Sequence, residues 1–376
     1  MSPDDFVVDE IAAYEPKGTG EHLYVHFRKR GAATLDAVRG IAERLGVSPK
    51  DVGTAGLKDR HAVTTQWASF PFPMKRELPD AAVVDAPDGS VVSLRIERHD
   101  NKLRTGHLRG NRFRLVLREV AAGDEDALLA SFARIAEEGL PNWFGEQRFG
   151  RAGDNVTVAL AWMRGETRPP RDTKVRRLQY SAVQSALFQR VLERRVEGGT
   201  WKRALVGDVL QKTESGGLFS CADPAVDQPR LDAREVVVTG PMFGEKMRAA
   251  TDEAQIIESE VLAESGIEPG LFATWSRLGE GTRRPLALFP SEMSTRRGEE
   301  PCSLVVDFVL AKGAYATSVL SEASSFRDAS AFAAPASPFP HRHASPSSPP
   351  PDPSLPAPLG AAVLEASPID QQEENG

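Results

Sequence analysis

The chain has 376 residues, 40% of them hydrophobic and 26% charged, a globular composition long enough for two domains with cores of their own. Its net charge is −7, and its two cysteines, Cys221 and Cys302, lie far apart outside any CxxC pair, which excludes a disulfide scaffold and a structural zinc site. The opening MSPDDFVVDE has no basic n-region or long apolar stretch, and no run approaches membrane-spanning length, so a soluble cytoplasmic protein is expected.

Residues 6–11 (FVVDEI) and 22–30 (HLYVHFRKR) read as strands separated by the turn-rich PKGTGE. TLDAVRGIAERLG (34–46) reads as an amphipathic helix with Thr34 as N-cap and Gly46 at its end. VVSLRIERH (91–99) and NRFRLVLREV (111–120) are expected strands. In the second, Phe113, Leu115 and Leu117 alternate with Arg112 and Arg114, the period of a half-buried strand with a basic outer face. DEDALLASFARIAEEG (124–139) is a helix capped by Asp124 and closed by Gly139. The texture from 139 to 287 is helical with irregular loops, and 180–199 is its clearest helix. Residues 302–320 return to strand character. Strands at both ends of a helical middle predict one α+β domain carrying an inserted second domain. Beyond about 323 the composition changes: residues 324–376 hold 11 of the 28 prolines and no lysine, the mark of a disordered tail.

The acidic total hides two basic stripes. Seven Lys/Arg fall between Arg98 and Arg118 against one acid, and six between Arg164 and Arg177 against two. Such stripes suit a polyanion or a solvated face equally well. There is no GxxxxGK[ST] loop, GTGEHL lacks the third glycine of a dinucleotide fingerprint, and neither HExxH nor GxSxG occurs. An enzyme with this sequence is expected to need no metal and no cofactor, and to work through a carboxylate.

The segment AGLKDRHAVTTQWAS (55–69) supplies one. Asp59 lies between Lys58 and Arg60, which can hold its charge, and Gly56 allows close backbone approach. Taken alone, a Lys-Asp-Arg triplet in a loop is more often a surface ion pair.

Its company changes that reading. DDFVVDEI (4–11), AGLKDRHAVTTQWAS (55–69), LRGNRFRLVLREV (108–120), PNWFGEQRFG (141–150), SAVQSALFQRVLERR (181–195) and KGAYATSVL (312–320) occur in one order that resembles the TruD family of tRNA pseudouridine synthases. The resemblance implies an α+β fold: a pseudouridine synthase-like catalytic domain with a mixed, largely antiparallel sheet at 1–138 and 288–323, and an inserted α/β domain at 139–287. It implies isomerisation of uridine to pseudouridine in tRNA, at uridine 13, without a cofactor or metal, by a monomer with no protein or membrane partner. Asp59 matches the family's catalytic aspartate. Phe6, Asn111 and Tyr315 match substrate-binding positions, Tyr315 standing where phenylalanine is common; Phe113 would offer a ring on which the uracil stacks, and Lys58 is counted with them as a substrate-binding cation, while Phe6 and Phe113 also suit the core and Asn111 a turn.

PNWFGEQRFG is expected to be the hinge into the inserted domain, with Asn142, Trp143 and Gln147 architectural and Arg148 near RNA, while Arg283 and Arg284 sit where the chain crosses back. The family pattern includes a lysine shortly before the DFVV segment that this sequence lacks. A start assigned too late, another cation such as Lys58 in its place, and impaired activity are the three alternatives. The tail is expected to be a dispensable extension arising from a shifted reading frame. A tRNA-binding protein or RNA chaperone on the same scaffold is the alternative function; a carboxylate hydrolase is disfavoured because no second carboxylate motif appears.

Overall fold

The computed structural model describes residues 2–121, 123–150, 154–268 and 270–323. The tail at 324–376, expected to be disordered, lies outside the described residues, as does the Gln147 side chain. Two compact units are present among the described residues, one formed by those up to 138 together with 289–323, the other by those in 139–288.

In chain order the first unit begins with β1 (Phe6–Ala12), β2 (His22–Arg30), α1 (Thr34–Leu45), β3 (Gly53–Thr54) and β4 (Val63–Pro71). It continues with the short α2 (Ala81–Val84), β5 (Val91–His99), β6 (Leu108–Leu117) and α3 (Asp124–Glu138). The second unit holds β7 (Leu140–Pro141), α4 (Asn155–Met163), α5 (Thr173–Glu197), β8 (Val209–Lys212), β9 (Leu218–Ser220) and α6 (Pro224–Asp232). It ends with β10 (Val236–Met242), α7 (Asp252–Glu264), α8 (Gly270–Thr274), β11 (Thr282–Pro285) and β12 (Ala287–Leu288). The chain then returns to the first unit as β13 (Ser291–Arg297), β14 (Leu304–Ala311) and α9 (Ala316–Ala323).

The first unit is built on one sheet in the order β13-β14-β6-β1-β4-β2-β5, with β3 added on β4. All its pairings are antiparallel except β1 with β4. The mixed, largely antiparallel sheet expected of the α+β class is therefore present. Period-two alternation decides which face is covered. Leu23, Val25 and Phe27 of β2 pack with Ala68 and Phe70 of β4 beneath Val38, Ile41 and Leu45 of α1. Toward the other edge, Leu304, Val306, Phe308 and Leu310 are buried, and α3 packs against α9 and β13. Gly110 permits one close approach there: a Cβ at this position would stand 2.2 Å from the Leu310 carbonyl oxygen.

The second unit wraps α5 against a four-stranded sheet in the order β11-β10-β8-β9. Phe188 and Leu192 pack on Val236 and Val238, while Val183 and Leu187 join Val261, Phe272 and α4. Two buried ion pairs cross it, Arg195 with Asp208 at 2.9 Å and Arg283 with Glu258 at 2.8 Å.

Four local expectations change, the first being that Asp124 is the opening residue of α3 and not its cap. Thr34 is the first residue of α1 and not its cap; the N-cap is Ala33, which makes no side-chain cap bond. The Thr34 hydroxyl instead turns inward. Residues 316–323 form a helix where strand character was expected, because Ala316, Val319, Leu320 and Ala323 are buried at three- and four-residue spacing. The basic stripe at 98–118 is neutralised in part, by ion pairs at three of its seven cations. Arg98 is buried and donates to the carbonyls of Gly20 and Phe72, while Arg112, Arg114 and Arg118 pair with Glu292, Asp307 and Asp5. Lys102, Arg104 and Arg109 carry no ion pair among the described residues.

Candidate active site

Register places the candidate residues on the covered face of the sheet. One row crosses four neighbouring pairs: Lys29 of β2 lies beside Thr64 of β4, Thr64 beside Val8 of β1, Val8 beside Phe113 of β6, and Phe113 beside Phe308 of β14. The next row on the same face carries Phe27 and Gln66, then Glu10, Asn111 and Leu310. From Lys29 to Phe113 is three strand spacings, about 14 Å. These rows form a floor, and the loop 55–62 lies over its β2–β4 side.

That loop contains Asp59, and the floor holds it by side chains. The Thr34 hydroxyl accepts the Lys58 N–H at 2.9 Å and donates to Gln66 Oε1 at 3.0 Å. Gln66 Nε2 donates to the Gly56 carbonyl at 3.4 Å. The buried ammonium of Lys29 donates to the Asp59 carbonyl at 2.5 Å. Gly56 itself has no left-handed φ, and a Cβ there would meet nothing within 4 Å, so its backbone does not require glycine.

Lys58 points into the sheet. Its ammonium lies 3.0 Å from Glu10 Oε2, with side-chain exposures of 6% and 1%. Glu10 is needed at this point because the parallel pairing of β1 with β4 stops at Asp9 and Thr65. Where the strands part, Glu10 Oε1 accepts the Trp67 N–H at 3.2 Å, and Lys58 neutralises the carboxylate. The Trp67 ring lies on the opposite face, stacked on His26 with centroids 4.8 Å apart.

Asp59 is half-buried. One carboxylate oxygen, Oδ1, accepts the His61 N–H at 2.7 Å, which fixes the rotamer and leaves Oδ2 as the oxygen not held by that bond. Arg60 turns outward to Asp36 at 3.0 Å.

Across the floor, Phe6, Phe113 and Phe308 form a run of near-parallel rings, with centroid separations of 6.4 and 5.3 Å. Phe308 is fully buried, Phe113 is 6% exposed, and Phe6 is half-buried at the outer end. Asn111 stands directly across from Glu10, and its Oδ1 is buried with no hydrogen-bond partner among the described residues. Tyr315 lies just ahead of α9 and is 43% exposed. The structure thus brings Asp59, Lys58, Phe6, Asn111 and Phe113 to one face, while no described contact ties Tyr315 to them.

Reading by residue type missed Lys29, Thr34, Gln66 and Glu10. Each is a polar residue at an inward position of a strand or helix, and that conflict with the apolar period was the available signal.

In the second unit, Arg284 donates to Asn142 Oδ1 at 2.6 Å and lies 4.0 Å from the centroid of Phe144, while Asn142 Nδ2 donates to the Pro285 carbonyl at 2.9 Å. Arg148 donates to Ser185 at 3.0 Å. Both arginines of GTRRPL are therefore tied into the second unit, Arg283 being buried on Glu258 and Arg284 half-buried on Asn142 and Phe144.

The family model for TruD, tRNA pseudouridine synthase D, matches residues 1–169 and 171–323. A tRNA pseudouridine synthase D of Anaeromyxobacter sp. (strain Fw109-5) is 48% identical over 326 residues, covering 85% of this chain and 90% of that protein. One from Thermus thermophilus is 38% identical over 322 residues, covering 86% and 87%. A crystal structure from Methanosarcina mazei that carries the name TruD superposes with a TM-score of 0.69 at 24% identity, covering 86% of this chain and 92% of that one, and so shares the fold. With its motifs, its fold and its relatives in agreement from end to end of the described residues, this chain belongs to the TruD family of tRNA pseudouridine synthases.

Proposed function

We propose that this protein is a tRNA pseudouridine synthase that isomerises uridine, at position 13 of its substrate tRNAs, with Asp59 as the catalytic residue. The observation that carries the proposal is the anchoring of Asp59. Its loop is held by four buried polar side chains while Asp59 itself is only half-buried, its carboxylate oriented by the His61 N–H. A surface ion-pair loop has no need of such anchors.

The reaction breaks the bond between uracil N1 and ribose C1′, turns the base, and forms a bond from C5 to C1′; the C5 proton is lost and N1 gains one, so atoms and electrons balance without an added reactant. An ionised carboxylate serves either route into it, attack at C1′ or elimination toward a glycal. The uridine must leave its stack, at a cost of a few kcal/mol, and a ring platform worth about 1–3 kcal/mol offsets part of that. Phe6 supplies the accessible ring of the run, backed by Phe113, and Tyr315 supplies a second ring on the returning segment. Asn111 Oδ1, without a partner among the described residues, is suited to a donor on the edge of the base, since a buried polar atom lacking a partner gains most from a ligand that provides one. Lys58 acts through Glu10 by fixing the backbone next to Asp59. No helix among the described residues is long and apolar enough to cross a membrane, and the working form proposed is a cytoplasmic monomer bound to tRNA.

The test uses unmodified tRNA transcripts with wild-type protein and Asp59→Asn, reading pseudouridine by carbodiimide-dependent reverse-transcription stops. A stop at position 13 with wild type alone is expected. A stop elsewhere corrects the position, a stop with both proteins overturns the role of Asp59, and tRNA binding without any stop favours the binding-protein alternative.

A further inference from the structure

Lys29 stands in β2 between Arg28 and Arg30, which are exposed, and alternation turns it into the covered face. There it is completely buried beneath the loop 55–62, in the row that also holds Thr64 and Val8. Among the described residues its ammonium forms no ion pair, and its one hydrogen bond goes to the Asp59 carbonyl. Thr64, its neighbour across the ladder, is equally buried, and its hydroxyl has no partner among the described residues. A buried ammonium without a bonded carboxylate is expensive, and an unbranched apolar side chain would suit this face better. The sheet therefore does not explain the lysine, whereas the loop does. Thr34 and Gln66 hold the backbone at Lys58 and Gly56, Lys58 is committed to Glu10, and from the floor only Lys29 reaches Asp59 itself among the described contacts.

On the reading that Asp59 is the reactive carboxylate, we propose that Lys29 is its positioning residue, clamping the Asp59 carbonyl from beneath and so fixing the backbone from which the carboxylate is aimed. Burial, aided by the charges of Lys58 and Arg60, outweighs the favourable charge of Asp59 and brings the pKa of the ammonium down to about 8. At neutral pH the clamp is a charge-assisted hydrogen bond. A carboxylate that must meet one ribose carbon is sensitive to such a hold, since a misplacement of about 1 Å costs on the order of 100-fold in rate.

The test compares the full chain with Lys29→Met, which keeps the length and removes the charge and the donor. Three quantities are read: amide hydrogen exchange over residues 55–62, the single-turnover rate constant for pseudouridine formation, and the tRNA dissociation constant. The expected result is loop exchange faster by about tenfold or more, a rate constant lower by about 10- to 100-fold, and tRNA affinity within about twofold of wild type. A purely structural lysine would shift stability throughout the unit without confining the change to the loop and the chemical step. Unchanged exchange over 55–62, or an unchanged rate constant, overturns the proposal. Should Lys29→Met not fold, Lys29→Gln is read in the same way, its shorter side chain being unable to span to the Asp59 carbonyl. If wild-type protein makes no pseudouridine, the functional reading fails by itself, and the exchange comparison still decides whether Lys29 holds the loop.

Discussion

The Lys58–Glu10 pair offers a demanding check of the site's construction. Both side chains are almost fully buried, 3.0 Å apart, and Glu10 also receives the Trp67 N–H where β1 and β4 separate. Removing one partner leaves an uncompensated charge in the sheet, which costs about 3–5 kcal/mol. Lys58→Met and Glu10→Gln are therefore each expected to destabilise the first unit by about 3 kcal/mol. In the double variant the unpaired charges are gone and the glutamine can still accept from Trp67, so its loss is expected to be smaller than the sum by about 2 kcal/mol or more. Because the chain has two units, a global unfolding curve would mix them. Trp67 is the one tryptophan outside residues 139–288, so fluorotryptophan labelling with ¹⁹F NMR in a urea series isolates the relevant transition. Single variants within about 0.5 kcal/mol of wild type, or strict additivity in the double variant, would refute the pair as the element that closes the sheet.

Lys29 makes the first unit's stability depend on alkaline pH. Its pKa is lowered from 10.5 to about 8 by burial, so the folded state binds this proton less tightly than the unfolded chain. The resulting penalty is full below about pH 8 and is relieved as pH rises toward 10.5, a gain of about 3 kcal/mol for wild type relative to Lys29→Met in urea titrations across that window. Arg283→Ala strands the buried Glu258 carboxylate, whose pKa burial already raises, and is expected to cost the second unit about 3–5 kcal/mol, read by the fluorotryptophan signals of Trp162 and Trp275. Arg104→Ala and Arg109→Ala remove exposed cations that form no ion pair among the described residues; each is expected to reduce the slope of log affinity for tRNA against log salt by about 0.7–0.9, and a slope equal to wild type would exclude that residue from the phosphate contacts. Gly110→Ala drives a methyl group into the Leu310 carbonyl and is expected to cost about 1–3 kcal/mol while slowing turnover through Asn111, measurable by denaturation and single-turnover assay.

Much of this molecule could be read from residue order. β6 follows the two-residue period, and α1 ends on Gly46, whose φ of 64° is left-handed, because local chemistry and burial agree there. Thr34 shows where such agreement misleads. A threonine at a helix start suits capping, yet its hydroxyl serves the loop that carries Asp59 from a position that only tertiary structure defines. Arg112 and Arg114 alternate outward as expected, but their acids, Glu292 and Asp307, come from strands about two hundred positions later, so the apparent basic face could not be discounted locally. Asp59 was visible as a motif. Its anchors were not, because Lys29, Gln66 and Glu10 sit within otherwise ordinary strands and declare themselves only through register.

The position of β14 in the sheet also governs the order in which the protein is made. β6 acquires its neighbour on one side from Leu304–Ala311, so Leu115 and Leu117 lack that cover until almost the whole described chain has been synthesised. The intervening 139–288 segment carries its own core and can complete its fold first, while the earlier strands wait with an unpaired edge. Emergence from the ribosome therefore exposes a long β6 edge for the time needed to translate some two hundred residues, about 10–40 s at typical speeds. The nascent chain is a predicted client for chaperones that shield strand edges. A stalled intermediate ending near residue 300 should aggregate, and one extended past β14 should not.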